Sequence, residues 1–270
     1  MLQNYTLFNE PLKAIIQPKA LINTLNAHSF NTVQIDEDFK TAIQNSDVVL
    51  PDGIGVVWAM RMLTGEKLQK IAGSDLFKFE MERINSIGGT CFFLGSSDEV
   101  LQKILRRAAI EYPKVQAHGY SPPYKSDFTQ DENNLMIASV NAVAPDVLFV
   151  GMTAPKQEKW AYKHYNQLQV GHLCCIGAVF DFYAGTINRA PVWLIKIGLE
   201  WFYRLIKEPR RMWRRYLIGN TKFIGYITLE MIRNLYALFI DHFLKLARRK
   251  NNHSPHNSQN NDDPLKIEFF

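Results

Sequence analysis

Cysteine is scarce in this chain. Its 270 residues hold three, Cys91, Cys174 and Cys175, all inside apolar runs and none with a second Cys or a His at zinc-ligand spacing. Neither a disulfide framework nor a structural zinc site is expected, and the thiols read as buried core groups of a reducing compartment. A leader is also missing from the sequence pattern. MLQNYTLFNEPLK (1–13) has Asn and Glu where a signal peptide needs a basic region and an apolar run, so export is not expected. No window reaches the roughly 18 uncharged apolar residues of a bilayer span. The nearest, residues 223–246, is broken by Glu230, Arg233, Asp241 and His242, so any membrane contact is expected to be peripheral. No internal repeat is present. What the C-terminal third lacks is acid: from Thr186 to Lys250 there are 14 Lys and Arg against four acids, a formal +10 in a chain of net +5. The remainder is therefore net negative, and the basic segment is a surface with its own partners.

What is present reads as an ordinary globular chain, 47% apolar and 21% charged, long enough for one or two domains of about 150 residues. Residues 20–25 (ALINTL) form an apolar strand whose polar residues, Thr24 and then Asn26, emerge at its carboxyl end. A polar helix follows over 36–45. Strand Val48 to Leu50 runs into the turn Pro51-Asp52-Gly53 and a helix that carries Val56, Val57, Met60 and Met62 or Leu63 inward. GSDLF (73–77) opens another helix with Ser74 as its cap, and strand 90–94 feeds a helix in which Ser96 and Glu99 have capping-box spacing. Strand 114–117 continues into His118-Gly119-Tyr120, and Pro122 with Pro123 makes 121–128 a loop. Helix 131–143, strand 146–150, helix 155–166 and strand 172–176 complete the alternation. Strands alternating with helices predict an α/β fold, a doubly wound Rossmann-like parallel sheet with a C-terminal basic helical appendage. The expected domains are a core over 1–190, an amphipathic membrane-associating appendage over 191–250 and a disordered polar tail over 251–270. Ligands of such sheets sit beyond the carboxyl ends of the strands. Thr24, Asn26, Asp52, Gly95, Tyr120, Thr153 to Gln157 and Asp181 fall along that edge.

Asp52 has two readings. A carboxylate at a strand end, with Gly53 and Gly55 leaving the backbone open, suits a general base; the same Asp could equally cap the helix that begins at Gly53. Gly53-Ile54-Gly55-Val56-Val57-Trp58 falls short of a dinucleotide fingerprint because Trp58 stands where the third glycine must be, so no nicotinamide cofactor is expected. GMTAPKQEKW (151–160) starts a helix at Thr153 and Pro155. Its free N–H groups make either a diphosphate cradle or an ordinary helix start. Asp36-Glu37-Asp38 reads as a solvated cap, and no metal site is expected. In EWFYRLIKEPRRMWRRY (200–216) five arginines alternate with aromatic and aliphatic residues, the mixture found on interfacial helices. Nucleic acid could use the same charge, as could a solvated hairpin.

Together NTLNAHS (23–29), LPDGIGVV (50–57), IAGSDLF (71–77), HGY (118–120), APDVLFVGMTAPKQEKW (144–160) and FDFYAGTINRAPVWLIKIGLEWFYRLIKEPRRMWRRY (180–216) resemble the WecG/TagA/CpsF family of bacterial glycosyltransferases. The resemblance implies an inverting, metal-independent enzyme without cofactor. Such an enzyme moves a sugar, most simply of N-acetylmannosamine type, from a UDP donor to a polyprenyl-diphosphate-linked saccharide at the inner face of the cytoplasmic membrane. UDP-glucose and the N-acetylmannosaminuronic acid donor are the alternatives. Carried over position by position, the family base is Asp52. Its polar sugar- or acceptor-side residues are Thr24 and Asn26, and its nucleotide-contacting residues are Tyr120, Gln157 and Asp181. The arginines of its appendage, which closes over the site, are Arg204, Arg211 and Arg214. Lys70 stands where the family usually has Arg, which keeps the charge and loses the bidentate fork. Expected partners are the UDP-sugar, the prenyl-linked acceptor and the membrane face, with a homo-oligomer compatible and nucleic acid excluded. The rival class is a non-catalytic peripheral membrane scaffold on the same fold.

Overall fold

The computed structural model describes residues 1–251; the tail expected at 251–270 lies, from residue 252 on, outside the described residues. The chain has two compact units, Met1–Thr228 and the part from Leu229 onward. The core is a parallel sheet of six strands, β1 (Ala20–Leu25), β2 (Val48–Pro51), β3 (Thr90–Gly95), β4 (Gln116–Tyr120), β5 (Val147–Gly151) and β6 (His172–Cys175), in the order β2-β1-β6-β5-β3-β4. Between and after them run α1 (Ala27–Thr32), α2 (Glu37–Gln44), α3 (Ile54–Thr64), α4 (Gly73–Ile87), α5 (Asp98–Glu111), α6 (Gln130–Asn141), α7 (Lys156–His164), α8 (Val179–Ala184), α9 (Val192–Lys196), α10 (Glu200–Lys207), α11 (Pro209–Trp213) and α12 (Gly219–Asn251).

The period-2 alternation of the strands sorts their side chains into two cores. Ile22, Val48, Leu50, Cys91, Phe93, Val147, Phe149 and Cys174 pack under Leu76, Phe77, Met81 and Ile84 of α4, Leu101 and Ile104 of α5, and Phe180 and Tyr183 of α8. Leu21, Phe92, Leu94, Leu148, Val150, Leu173 and Cys175 face Met136, Ile137 and Val140 of α6, with Trp160 and Ala161 of α7. Burying each of these large apolar side chains contributes about 1.5–3 kcal/mol. All three cysteines are buried and unpaired, as the apolar runs around them predict.

Several local expectations are corrected. Ser74 lies within α4, whose N-cap is Ala72, and the Asp75 carboxylate accepts from the Ala72 N–H at 2.9 Å. Ser97 rather than Ser96 caps α5, because Ser96 is used in the turn at a left-handed φ of 61°. In α3 the buried face is Val56, Ala59 and Met60, and Met62 is exposed. The continuous helical run Pro209–His242 is long and apolar enough to cross a membrane by length and composition, which the interruptions at Glu230 and Arg233 had argued against.

Two strand ends open the crevice that matters. The adjacent strands β3 and β5 lead to helices on opposite faces of the sheet, so their carboxyl ends flank a topological switch point. Gly95 and Gly151 pair there. A Cβ on Gly95 would lie 2.6 Å from the Gly151 carbonyl oxygen, at a φ of +124°. Gly95→Ala should therefore lower the unfolding free energy by about 2 kcal/mol or more, read from urea denaturation. An unchanged midpoint would mean that the two strand ends do not approach as described.

Candidate active site

Asp52 follows β2, and its N–H donates to the Leu25 carbonyl of β1 at 3.0 Å, so the two strand ends are tied together before the side chains are considered. Gly53, at φ +98°, is the N-cap of α3 and makes no side-chain cap bond. The Asp52 carboxylate is thus not spent on capping α3, which removes the structural reading of that residue. It accepts instead from Nδ2 of Asn26 at 3.3 Å. Burial pushes the Asp52 carboxyl above the usual carboxylate range; the Asn26 donor opposes this, Glu200 reinforces it, and the charges of Lys70 and Arg215 oppose it. Asp52 as a whole residue is half-buried at the strand ends.

Asn26 is held by its own local chemistry. Its Oδ1 caps α1, accepting from the N–H groups of His28 and Ser29 at 3.0 Å each, and this leaves Nδ2 for Asp52. Thr24, half-buried on β1, pairs in register with Leu50 and so stands beside the same strand ends. Lys70 is half-buried in the segment before α4, anchored where Ile71 N–H donates to the Pro51 carbonyl at 3.0 Å. Among the residues given roles from the sequence, Asp52, Asn26 and Lys70 therefore converge.

The appendage arginines separate. Arg204, on α10, is half-buried, with its guanidinium 5.4 Å from the Phe182 ring centroid and its Nε without a hydrogen-bond partner. Arg211 is exposed and pairs with Glu208 at 2.9 Å, and Arg214 is exposed against Trp213. The arginine that turns inward is Arg215, which had no assigned role. Its Nε is buried and unpartnered, and its charge is felt at Asp52, His28 and Glu158. Burial lowers the Arg215 pKa. Burial, with Arg215 beside it, also holds His28 down to about 4, so that imidazole is neutral at physiological pH. The appendage is fixed to the core by Phe30, edge-on to Phe223 at 5.4 Å, and by Asn31 Nδ2 donating to the Gly219 carbonyl at 2.7 Å.

At the other end of the edge, Gln157 is buried in the first turn of α7. Its Oε1 accepts from Met152 N–H at 3.2 Å, and its Nε2 donates to Glu158 Oε1 at 2.8 Å. No side chain of the N-cap residue caps α7, and the Lys156 N–H donates to the Thr153 carbonyl at 3.0 Å; the start of the helix keeps the positive end of its dipole. Gly177, at φ +53°, has the Gln157 amide nearest to its absent Cβ, at 3.5 Å, with the Met152 carbonyl at 3.8 Å. Asp181 lies in the first turn of α8 and accepts from Thr186 Oγ1 at 3.4 Å. Tyr120 ends the edge strand β4 and packs on the core under α6 and α7. Asp36 caps α2 and pairs with Lys159 at 2.9 Å, so the D-x-D is structural. Among the described residues no three His, Cys, Asp or Glu side chains are grouped to hold a metal ion.

Residues 4–236 match the sequence model of the glycosyl transferase WecG/TagA/CpsF family. The chain is 33% identical over 198 residues to the N-acetylglucosaminyldiphosphoundecaprenol N-acetyl-beta-D-mannosaminyltransferase of Bacillus subtilis strain 168, covering 73% of this chain and 75% of that protein. The Bacillus spizizenii protein of the same name is 32% identical over 180 residues, 66% and 67% of the two chains, and that of Staphylococcus aureus strain MW2 is 27% identical over 196 residues, 72% and 74%.

Asn26→Ala removes both the α1 cap and the donor to Asp52. It should cost about 1 kcal/mol of stability and move the Asp52 carboxyl further up, seen as an upward shift of its titration by NMR. A titration unmoved by the change would show that the Asn26 contact does not tune the acid.

Proposed function

The chain belongs to the WecG/TagA/CpsF family and is a glycosyltransferase, and from this premise we propose that it transfers N-acetylmannosamine with inversion from its UDP derivative to a sugar on a polyprenyl diphosphate. The names of its relatives support this sugar and this acceptor. The observation that carries the chemistry is Asp52, half-buried at the strand ends, raised by burial and held by Asn26. In the proposed step the acceptor hydroxyl oxygen forms a bond to the anomeric carbon while its proton passes to Asp52. The bond from that carbon to the diphosphate oxygen breaks, and UDP departs with the electron pair. A single displacement inverts the centre.

Charge building on the leaving oxygen needs fixed positive groups. The half-buried arginines Arg204 and Arg215, each with a buried Nε, and the start of α7 are the groups proposed to supply them, which supports a route that does not depend on a metal. Thr24 and Lys70 stand on the sugar side and Gln157, Asp181 and Tyr120 toward the nucleotide. Because Asp52 works as its carboxylate, and burial raises its pKa, the rate should fall as pH drops through a value above the ordinary carboxylate range. Asp52→Asn should leave UDP binding within about twofold while transfer drops by a factor of the order of 10³, the range of general-base loss. Near-normal turnover in this variant would take Asp52 out of the mechanism.

The helix that runs past residue 228 supports peripheral attachment to the cytoplasmic leaflet. Leu229, Ile232, Leu235, Tyr236, Leu238 and Phe239 are all exposed on it. Basic residues lie at both ends of this apolar stretch, Arg210 to Lys222 before it and Lys245 to Lys250 after it. A span would carry one of these groups across the bilayer, against the preference of Lys and Arg for the cytoplasmic side, whereas a helix lying in the interface keeps both beside anionic headgroups. With protein bound to the outside of sealed anionic vesicles, Lys245→Cys should react fully with an impermeant maleimide. Protection until detergent is added would establish a span instead.

A further inference from the structure

Glu158 is a buried ionisable group beside the proposed nucleotide end for which the reaction above has no use. It lies in the first turn of α7, only 2% exposed, directly behind Gln157. Its Oε1 takes the Gln157 Nε2–H at 2.8 Å, and its Oε2 is buried without a hydrogen-bond partner. A lone carboxyl at this depth is costly, and in an all-apolar packing role a Leu or Met would serve better. Its surroundings suit it to orienting its neighbour, because an ionised carboxylate only accepts. It can therefore be satisfied by one orientation of the Gln157 amide, with Nε2 toward Glu158 and Oε1 toward the Met152 N–H. The reverse orientation would set amide oxygen against carboxylate and NH₂ against N–H. The same contact fixes the β5-to-α7 turn, since Met152 directly follows Gly151, the last residue of β5.

We propose that Glu158 is a positioning residue for the UDP end of the donor: as a carboxylate it locks the Gln157 amide and the Met152 turn in the form that receives the nucleotide across Gly177. This rests on the transferase reading above. The groups around it are few. Arg215 of the appendage is its counter-charge and Cys175 of β6 lies beside it, and Arg215 is shared with Asp52 and His28. Burial pushes Glu158 up to about 7, opposed by the Gln157 donor and by Arg215. Nucleotide affinity should accordingly rise with pH across neutrality.

UDP binding by calorimetry between pH 5.5 and 8.5, in an Asp52→Asn background so that only one of the two raised acids titrates, tests this. The parent should bind UDP about tenfold more tightly at the upper end, the size of one charge-assisted hydrogen bond. Adding Glu158→Gln should leave only the pH dependence given by ionisation of UDP's own terminal phosphate, at about pH 6, and remove the advantage of about tenfold that the parent holds over that variant at the upper end. Its melting temperature above pH 7 should be equal or higher. The sign follows from linkage: an acid with a raised folded pKa binds more protons folded than unfolded, so its contribution to stability falls as pH rises from the unfolded value of about 4.5 to 7. A merely structural Glu158 would lower the melting temperature and leave the pH profile of binding in place, and that result overturns the proposal. Failure of the wild-type protein to bind UDP at any pH overturns the transferase reading itself, and with it this one.

Discussion

The hydrogen bond from Asn26 to Asp52 joins the ends of two neighbouring strands and settles what each residue can do. Asn26 is clamped first, because its Oδ1 satisfies two of the orphan N–H groups of α1. Only the amide nitrogen is left, and it meets Asp52. The carboxylate then has one neutral donor, which is too little to cancel the desolvation of its charge. A carboxylate with several backbone donors would be a poor base; one with none would stay protonated. Asp52 stands between these cases, with its carboxyl raised above the ordinary range, which suits the proposed proton acceptor.

The sheet places the two ends of the proposed donor. From β2 through β1 and β6 to the crevice between β5 and β3 is about 17 Å at the usual strand spacing of roughly 4.8 Å. Asp52, the proposed base, stands at one end of this edge, and the start of α7 with the Gln157 amide stands nearer the other. An extended nucleotide sugar laid along the edge brings its anomeric carbon to Asp52 only if its diphosphate passes under the appendage. Glycine is required where that path crosses the strand ends: Gly95 because the Gly151 carbonyl is so close, Gly177 because its φ is positive.

Much of this was legible in the sequence, for physical reasons. Period-2 and period-3.6 patterns do not depend on tertiary context, so the six strands and the longer core helices could be placed, whereas the six-residue helices α1 and α8 were too short to show a period. A polar residue at the end of an apolar strand has only the carboxyl edge to occupy. Thr24, Asn26 and Asp52 were found in that way. Arg215 was not, because helical phase cannot be carried from Arg204 to it. Glu208 leaves the helical region between α10 and α11, and residues Arg214–Ile218 form a π-helical turn. That turn changes which guanidinium faces inward. Glu158 was hidden for another reason: an acid in the first turn of a helix normally answers the dipole from the surface, and nothing in KQEKW says that this one is buried.

The appendage divides its charge between two environments, and the division constrains how it works. Arg211 and Arg214 remain in water, where their desolvation cost is nil and an anionic leaflet can attract them. Arg204 and Arg215 have each buried an Nε without a partner, a loss tolerated only where opposite charge is close. Asp52, the acid felt at Arg215, is biased toward protonation by its burial, so it neutralises that guanidinium incompletely. On the proposed reading a diphosphate supplies the rest, since it brings charge without needing burial to be reversed. Nucleotide binding and docking of residues 200–218 are then linked functions, each favouring the other by the same free energy. An enzyme arranged in this way holds its donor best when its basic helices are already in place over the sheet.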